Sequence, residues 1–284
     1  MSAKSSGPVP GLVVCGVIPA RMNSHRLPGK PLLPICGRPM IHWVFERARA
    51  NALLSRLVVA TDSDQILRYC GEHRIPTEAT SSRHHSGTDR VIEVMQQDRA
   101  SGRAADIYVN IQGDEPMVTP GHISLLLKPF VRPTDTAEAE RERHGQASGQ
   151  QDRACEPQAM QVSTLKVAIT NQEAANPDAV KVVTDSSGRA LYFSRAAIPH
   201  DRDGAGRAQY FKHLGLYAYT PAALRGFQSL PPSPLEMSER LEQLRFLENG
   251  ISIAVLETDE DTIGVDTEED LRRVERHFRQ TGLG

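Results

Sequence analysis

The sequence contains few cysteines, and none lies close to another. Cys15, Cys36, Cys70 and Cys155 form no C-x-x-C pair among the 284 residues. This spacing argues against a zinc site and against a disulfide framework, and it favours reduced thiols in a cytoplasmic protein. No apolar run reaches the length that crosses a bilayer, and residues 1–10 lack the apolar core of a signal peptide. We expect residues 1–10 to form a disordered leader.

An excess of charge of either sign is also absent. Lys and Arg total 33 and Asp and Glu total 35, which gives a formal net charge of −2. This total indicates neither a nucleic-acid-binding protein nor an acidic tail, and we expect no nucleic-acid or membrane partner. A chain of 284 residues can bury a sizeable core, and we expect one domain over residues 11–284.

The two common phosphate-binding loops, G-x-G-x-x-G and G-x-x-x-x-G-K-[ST], are missing as well. A loop shaped by Gly and Pro instead follows a buried strand predicted over residues 12–18, and it precedes a helix predicted over residues 39–49. The loop carries three cations, Arg21, Arg26 and Lys30. Open α/β sheets bind ligands beyond the carboxyl ends of their strands, so this loop is a candidate polyphosphate site.

Strand-like and helix-like segments alternate through the first half, which predicts a mostly parallel sheet covered by helices. Ser63, Thr119 and Thr267 are predicted helix caps. The second half is richer in strand-like segments, and one long helix is predicted over residues 234–249. Residues 132–158 are polar and have almost no large apolar side chains, so we expect a mobile insertion there.

Two aspartates stand at positions that suit a metal ion. Asp114 follows the predicted central strand over residues 107–111, and Gly113 lets the backbone turn so that the carboxylate projects into a cleft. Mg²⁺ takes one or two carboxylates together with phosphate oxygens and waters. A turn without a ligand is the alternative for Asp114. The residues around Asp266 on their own favour a helix cap over a metal ligand.

These motifs, in this order, resemble the 3-deoxy-manno-octulosonate cytidylyltransferase (CMP-KDO synthetase) family. The first loop resembles the family's P-A-R-x-x-S-x-R-L-P-G-K-P-L, and segments similar to Q-G-D-E-P, Y-F-S-R, H-L-G-I-Y, L-E-Q-L-R and G-V-D-T follow. The resemblance runs from about residue 13 to residue 278, apart from the insertion. It implies a Rossmann-like nucleotidyltransferase core with a mostly parallel sheet, a smaller β-rich lobe for sugar binding and dimer contacts, and a homodimer.

The resemblance also implies the reaction. The protein is expected to transfer CMP from CTP to 3-deoxy-D-manno-octulosonate (KDO), releasing pyrophosphate and activating KDO for lipopolysaccharide synthesis. CMP-sialic acid synthetase, or another CMP-sugar-acid cytidylyltransferase, is the alternative within the class. A nucleotide-binding regulator without catalysis is the alternative outside it, and retention of both Asp114 and Asp266 argues against that reading.

Residue by residue, the resemblance implies a catalytic group, a nucleotide side and a sugar side. Arg21 and Lys30 would hold the triphosphate, and Asp114 and Asp266 would bind Mg²⁺. The remaining residues of the nucleotide side are Pro19, Ala20, Ser86 and Arg90, with residues 86–90 predicted as a loop. The sugar side comprises Gln112, Arg195, His213, Tyr217, Glu239, Glu242 and Gln243, although Gln112 could instead face the nucleotide. Without the resemblance, the residues on the sugar side would be interpreted as ordinary core or surface residues.

Overall fold

The computed structural model describes residues 11–22, 26–131, 160–204 and 206–283. The predicted leader and the predicted insertion at residues 132–158 lie outside these ranges. No helix in the described part of the chain is long and apolar enough to cross a membrane.

The described strands fall into one large sheet and one small hairpin. In chain order they are β1 (Val14–Ala20), β2 (Pro34–Ile35), β3 (Arg38–Pro39), β4 (Arg56–Thr61), β5 (Thr77–Ala79), β6 (Ile107–Asn110), β7 (Val162–Ile169), β8 (Lys181–Thr184), β9 (Ala190–Ser194), β10 (Tyr210–Tyr219) and β11 (Ile253–Thr258). The large sheet has the order β11-β7-β10-β6-β1-β4-β5, and β2 pairs only with β3. Strand β10 runs antiparallel to both of its neighbours on this path, whereas the remaining pairs on the path are parallel. The predicted fold class is confirmed.

The second half of the chain extends the same sheet. Strands β7, β10 and β11 continue it beyond β6, and β8 and β9 form a hairpin attached through β10. Strands β9 and β10 of this sheet therefore position the sugar-side residues Arg195, His213 and Tyr217, and the same sheet carries the first loop.

Helices cover both faces of the sheet. Over the described residues they are α1 (Met40–Arg49), α2 (Asp64–Glu72), α3 (Gly87–Ala100), α4 (Pro120–Leu127), α5 (Asn171–Ala174), α6 (Pro221–Ser229), α7 (Pro234–Glu239), α8 (Leu244–Glu248) and α9 (Glu268–Gln280). Successive side chains of β1 point to opposite faces. Ile18 packs in a cluster with residues of α1 and α4, and Val17 packs in a second cluster with residues of α3 and α6. An edge-to-face contact between Trp43 and Phe278 seats α9 on α1.

The predicted helix caps are confirmed. The side chains of Ser63, Thr119 and Thr267 accept hydrogen bonds from backbone amides in the first turns of α2, α4 and α9. The predicted loop over residues 86–90 is wrong, because Ser86 caps α3 and the helix begins at Gly87. The Ser86 side chain and Asp89 form a reciprocal capping box, which is why the helix starts within this polar segment.

The predicted single helix over residues 234–249 is also wrong. It is broken into α7 and α8 at Arg240, whose backbone is left-handed with φ 57° and ψ 46°. The apolar spacing continues across the break, because Leu241 and Leu244 are both buried. Periodicity alone therefore did not reveal the interruption. The break creates a short turn, and this turn carries Glu242 and Gln243 into the site described below.

Candidate active site

Lys30 lies where the first loop meets two aspartates. The loop ends at Gly29, whose φ of 71° lies in the left-handed region that favours glycine. Lys30 then begins a short 3-10 turn over Lys30–Leu32. Its Nζ donates to Asp114 Oδ2 at 2.6 Å and to Asp266 Oδ1 at 3.0 Å. Burial lowers the pKa of Lys30, but the two carboxylates outweigh it, and the pKa is raised overall. The ammonium therefore stays charged.

Backbone contacts explain why two aspartates far apart in sequence meet here. Gly113 follows β6 and passes so close to β1 that a Cβ would lie 2.6 Å from the Pro19 carbonyl oxygen, so only glycine fits. The amide of Val265 donates to the carbonyl of Asp114 at 2.9 Å. This bond docks the segment before α9 onto the loop after β6 and places Asp266 beside Asp114.

The smaller of the two cavities at this point has a volume of about 310 Å³. Its wall combines the first loop, the start of α3 and the loop after β6. The lining residues are Pro19, Ala20, Arg21, Arg26, Lys30, Pro31, Ser86, Gly87, Arg90, Gln112, Gly113, Asp114 and Asp266. Four cationic side chains and the amino terminus of a 14-residue helix make this cavity suitable for an anion. Every residue predicted for the nucleotide side lies in this wall.

The three predicted arginines of this wall differ in their freedom to bind a ligand. Arg21 is exposed and donates to the carbonyl of His85 at 3.1 Å. Arg26 pairs with Asp266 at 2.8 Å. Arg90 is buried, and its guanidinium donates to Thr80 Oγ1 at 2.6 Å and to Asp62 Oδ1 at 2.9 Å. Arg90 therefore stabilises the wall of the cavity through these protein contacts, while Arg21 and Arg26 are the cations more accessible to a ligand.

The larger cavity has a volume of about 820 Å³ and borders the smaller one. Arg26, Gln112, Asp114 and Asp266 line both. Gln112, for which the sequence allowed either side, therefore faces both the nucleotide side and the sugar side. Among the residues predicted for the sugar side, Gln112, Arg195, His213, Tyr217, Glu242 and Gln243 line this cavity.

Glu239 does not line the larger cavity. Its carboxylate accepts hydrogen bonds from Ser194 Oγ at 2.6 Å and from the Arg195 amide at 3.0 Å. Burial raises the pKa of Glu239, but these hydrogen bonds and the Arg195 charge outweigh it, and the pKa is lowered overall. The Glu239 carbonyl also accepts from Arg195 Nε at 2.9 Å. Glu239 therefore fixes the position of Arg195 through hydrogen bonds and does not itself face the larger cavity.

A bulge in β10 presents the next two predicted residues. The register against β7 shifts between Leu214 and Tyr217, and the strand reaches past the end of β6. His213 Nε2 lies 3.1 Å from the Thr164 hydroxyl oxygen, and its ring contacts Tyr217 at a centroid distance of 5.3 Å. Burial lowers the pKa of His213 to about 3, so the imidazole is neutral at ordinary pH. Burial also raises the pKa of Tyr217, which stays protonated.

The turn between α7 and α8 completes this wall. Glu242 is hydrogen-bonded with Thr88 and Ser86 at the start of α3. Burial raises the pKa of the Glu242 carboxyl, and these hydrogen bonds oppose the rise without cancelling it. Gln243 is buried, and its Nε2 has no hydrogen-bond partner in the described part of the chain. A buried amide left without a partner is costly, and a polar ligand in the cavity would supply one.

Asn110, Glu115 and Lys212 are among the lining residues of the larger cavity that sequence reasoning missed. Asn110 Oδ1 and Glu115 Oε2 are buried and lack hydrogen-bond partners among the described residues. Burial, and then the Asp114 charge, raise the pKa of Glu115 to about 7. Lys212 Nζ contacts Asp261 Oδ1 at 2.5 Å and the Thr262 carbonyl at 3.0 Å, which ties β10 to the segment before Asp266. Asn110 could have been recognised from the sequence as a candidate site residue, because it is a polar residue in a strand predicted to be buried. Lys212 could not, because its contacts depend on the tertiary fold.

The donor set fits a magnesium ion that is shared with a phosphate ligand. Within the described ranges no three His, Cys, Asp or Glu side chains form a metal-binding group. Asp114 and Asp266 nevertheless contact one ammonium and are partly exposed, at 35% and 46% of their side chains. Two carboxylates that open onto an anion-binding cavity match the way Mg²⁺ is bound through carboxylates and substrate phosphates.

Comparison with known proteins agrees with this geometry. The model of the cytidylyltransferase family matches residues 15–253. The 3-deoxy-manno-octulosonate cytidylyltransferase of Acidobacterium capsulatum is 52% identical over 265 residues, covering 93% of this chain and 96% of that protein. The Koribacter versatilis protein of the same name is 49% identical, covering 93% of this chain and 89% of that protein.

Solved structures show the same likeness. A CMP:2-keto-3-deoxy-manno-octonic acid synthetase complexed with CTP is 40% identical, with a TM-score of 0.80 over 95% of this chain and 99% of that one. A cytidylyltransferase from Leptospira borgpetersenii, 14% identical with a TM-score of 0.56 over 95% of this chain and 87% of that one, shares the fold. By its family model and by relatives that are about half identical over most of its length, the chain belongs to the 3-deoxy-manno-octulosonate cytidylyltransferases of the cytidylyltransferase family.

Proposed function

We propose that this chain transfers CMP from CTP to KDO, giving CMP-KDO and pyrophosphate and so activating KDO for lipopolysaccharide synthesis. The observation that carries this proposal is the junction of the two cavities at Gln112, Asp114 and Asp266. A triphosphate on the cationic side and a sugar acid on the other would meet at these residues. The names of the relatives support this pair of substrates.

One bond forms and one bond breaks in the proposed reaction. The anomeric hydroxyl oxygen of KDO forms a bond to the α-phosphorus of CTP. The bond from that phosphorus to the α,β-bridging oxygen breaks, pyrophosphate leaves, and the hydroxyl proton passes to solvent. Arg21 and Lys30 neutralise the charge that grows on the bridging and leaving oxygens, so catalysis is mainly positioning and electrostatic stabilisation.

Asp114 and Asp266 would hold Mg²⁺ at the junction. When bound, the ion supplies positive charge at the α-phosphate and lowers the pKa of the sugar hydroxyl. Lys30 holds the two carboxylates together before substrates arrive, because their mutual repulsion is offset by its ammonium. The site is therefore arranged in advance of binding.

The larger cavity would orient the sugar acid. Arg195 offers a planar guanidinium that suits the carboxylate of KDO. Gln243 Nε2, Asn110 Oδ1 and the neutral ring of His213 offer polar atoms to the hydroxyl groups. Glu239 keeps Arg195 in place from behind.

Pyrophosphate release tests the proposal. The enzyme is incubated with CTP and Mg²⁺, together with KDO in one reaction and sialic acid in another. We expect release with KDO only. Release with sialic acid only would keep the reaction and overturn the assignment of the sugar. CTP binding without release for any sugar acid would favour a regulator.

We also propose that the protein works as a cytoplasmic homodimer. Leu191 on β9 and Met237 on α7 are 61% and 59% exposed, and Leu235 on α7 is 40% exposed. The Ser194–Glu239 hydrogen bond joins these two elements, β9 and α7. Light scattering on the wild type and on the Leu191→Glu, Met237→Glu double variant tests this proposal. A dimer that becomes a monomer is expected, and a monomeric wild type would contradict it.

A further inference from the structure

Lys181 in β8 is a fully buried lysine whose bonding partners are backbone carbonyls. Its side chain donates to the oxygens of Asn176 at 2.8 Å, Ala179 at 2.5 Å and Arg195 at 2.7 Å. Three acceptors use the three N–H groups that only the charged ammonium has. A buried charge is tolerated when it is hydrogen-bonded in this way, and each of these bonds fixes one point of the backbone.

The three carbonyls belong to residues that line the larger cavity. Asn176 and Ala179 lie in the loop before β8, and Arg195 directly follows β9. The guanidinium of Arg195 donates to the carbonyl of Pro177 at 3.2 Å, so it contacts the loop that Lys181 also holds. The position of the guanidinium therefore depends on the backbone that Lys181 fixes at both ends.

The charge of Lys181 adds a second effect. The ammonium bonds to the Arg195 carbonyl from a site without solvent exposure, so water screens its field little. The positive charges of Arg195 and Lys181 offset two nearby carboxylates, Glu239, which accepts from the Arg195 amide, and Asp178, which lines the same wall. KDO is an acid, so loss of the Lys181 charge would leave this wall less favourable to its carboxylate.

We propose that Lys181 is a positioning residue for the sugar acid, because it holds Arg195 and the loop over residues 176–179 in the arrangement that binds the carboxylate. This inference rests on the proposed function. Lys181 does not itself line either cavity. Its role is therefore confined to the binding of the sugar acid and does not extend to the binding of CTP.

Steady-state kinetics of a Lys181→Met variant test the inference. The KM for KDO should rise at least about tenfold, which is the loss expected when a hydrogen bond to a charged group is disturbed. The KM for CTP should stay unchanged. The matched control is Lys166→Met, since Lys166 is also a buried lysine of the sheet but bonds to Thr184 and lines neither cavity. This control should leave both KM values unchanged.

A Lys181→Ala variant with added ammonium ions separates positioning from a general structural role. Removing the side chain leaves a space beside three carbonyls, and ammonium or methylammonium should lower the KM for KDO again. A smaller kcat with both KM values unchanged would show fewer folded molecules and would overturn the inference, as would equal rises in both KM values.

If neither variant folds, Lys181→Gln supplies two N–H donors, and direct binding of KDO by calorimetry replaces kinetics. Wild-type affinity in that variant would overturn the inference. Wild-type enzyme that releases no pyrophosphate with KDO would overturn the proposed function, and the inference with it.

Discussion

At the scale of single residues, Lys30 is the group on which the site depends. Its ammonium contacts both aspartates and faces the cavity that suits a triphosphate. We expect Lys30→Ala to lower kcat by about 100-fold to 1,000-fold, the effect of removing one preorganised donor from a charged transition state. Pyrophosphate release measures this change. The control is Lys128→Ala at an exposed lysine; a wild-type rate in Lys30→Ala would remove the first loop from the mechanism.

Asp114 makes a separate prediction about the metal. The amide in Asp114→Asn keeps the size of the side chain and removes its charge, so the variant should lose activity that depends on Mg²⁺. Titration of the rate against Mg²⁺ measures this dependence, and Asp64→Asn at an exposed residue of α2 serves as the control. The same Mg²⁺ dependence in Asp114→Asn and in the wild type would refute the metal role.

His213 makes stability depend on pH. Burial lowers its pKa in the folded state to about 3, whereas the unfolded chain titrates near 6.5. The unfolded state therefore binds the proton first, and stability present above pH 6.5 is lost as the pH falls towards 3. We expect about 2 kcal/mol of the free energy of unfolding to be lost between pH 7 and pH 5 through this residue. Urea unfolding of wild type and His213→Asn at both pH values measures it; equal losses would contradict the assignment.

At the scale of elements, local sequence signals predict where helices begin, but they do not predict the break in the helix over residues 234–249. The cap at Thr267 is predictable from the sequence because three acidic residues, Glu268, Glu269 and Asp270, follow it and suit the positive start of a helix. The break at Arg240 was not recognised, because Leu241 and Leu244 keep helical spacing on both sides and no glycine marks the left-handed residue. Tertiary packing of α7 and α8 selects this conformation against local preference.

The break predicts an unusual order of stabilities at position 240. In a continuous helix Ala is about 1 kcal/mol more favourable than Gly. At a left-handed residue with φ 57° Gly is favoured, by about 1–2 kcal/mol. We therefore expect Arg240→Gly to be more stable than Arg240→Ala in thermal or urea unfolding. The opposite order would mean that residues 234–249 form one helix in solution.

At the scale of the whole molecule, one sheet brings both halves of the reaction together. The carboxyl ends of β1 and β6 carry the first loop and Asp114 to the same edge, which follows from their parallel pairing and was predictable. The approach of Asp266 was not predictable from residues alone, because it depends on the Val265–Asp114 backbone bond and on the seat of α9 against Trp43. Resemblance to a family supplied that part of the site.

The most direct test of the account is phosphorus NMR of the products formed from CTP, KDO and Mg²⁺. Attack at the α-phosphorus predicts one new phosphodiester resonance from CMP-KDO and an equal amount of pyrophosphate. Formation of CMP and pyrophosphate without a sugar phosphodiester would show hydrolysis. A phosphorylated sugar together with CDP would show attack at the γ-phosphorus. Either result would contradict the account.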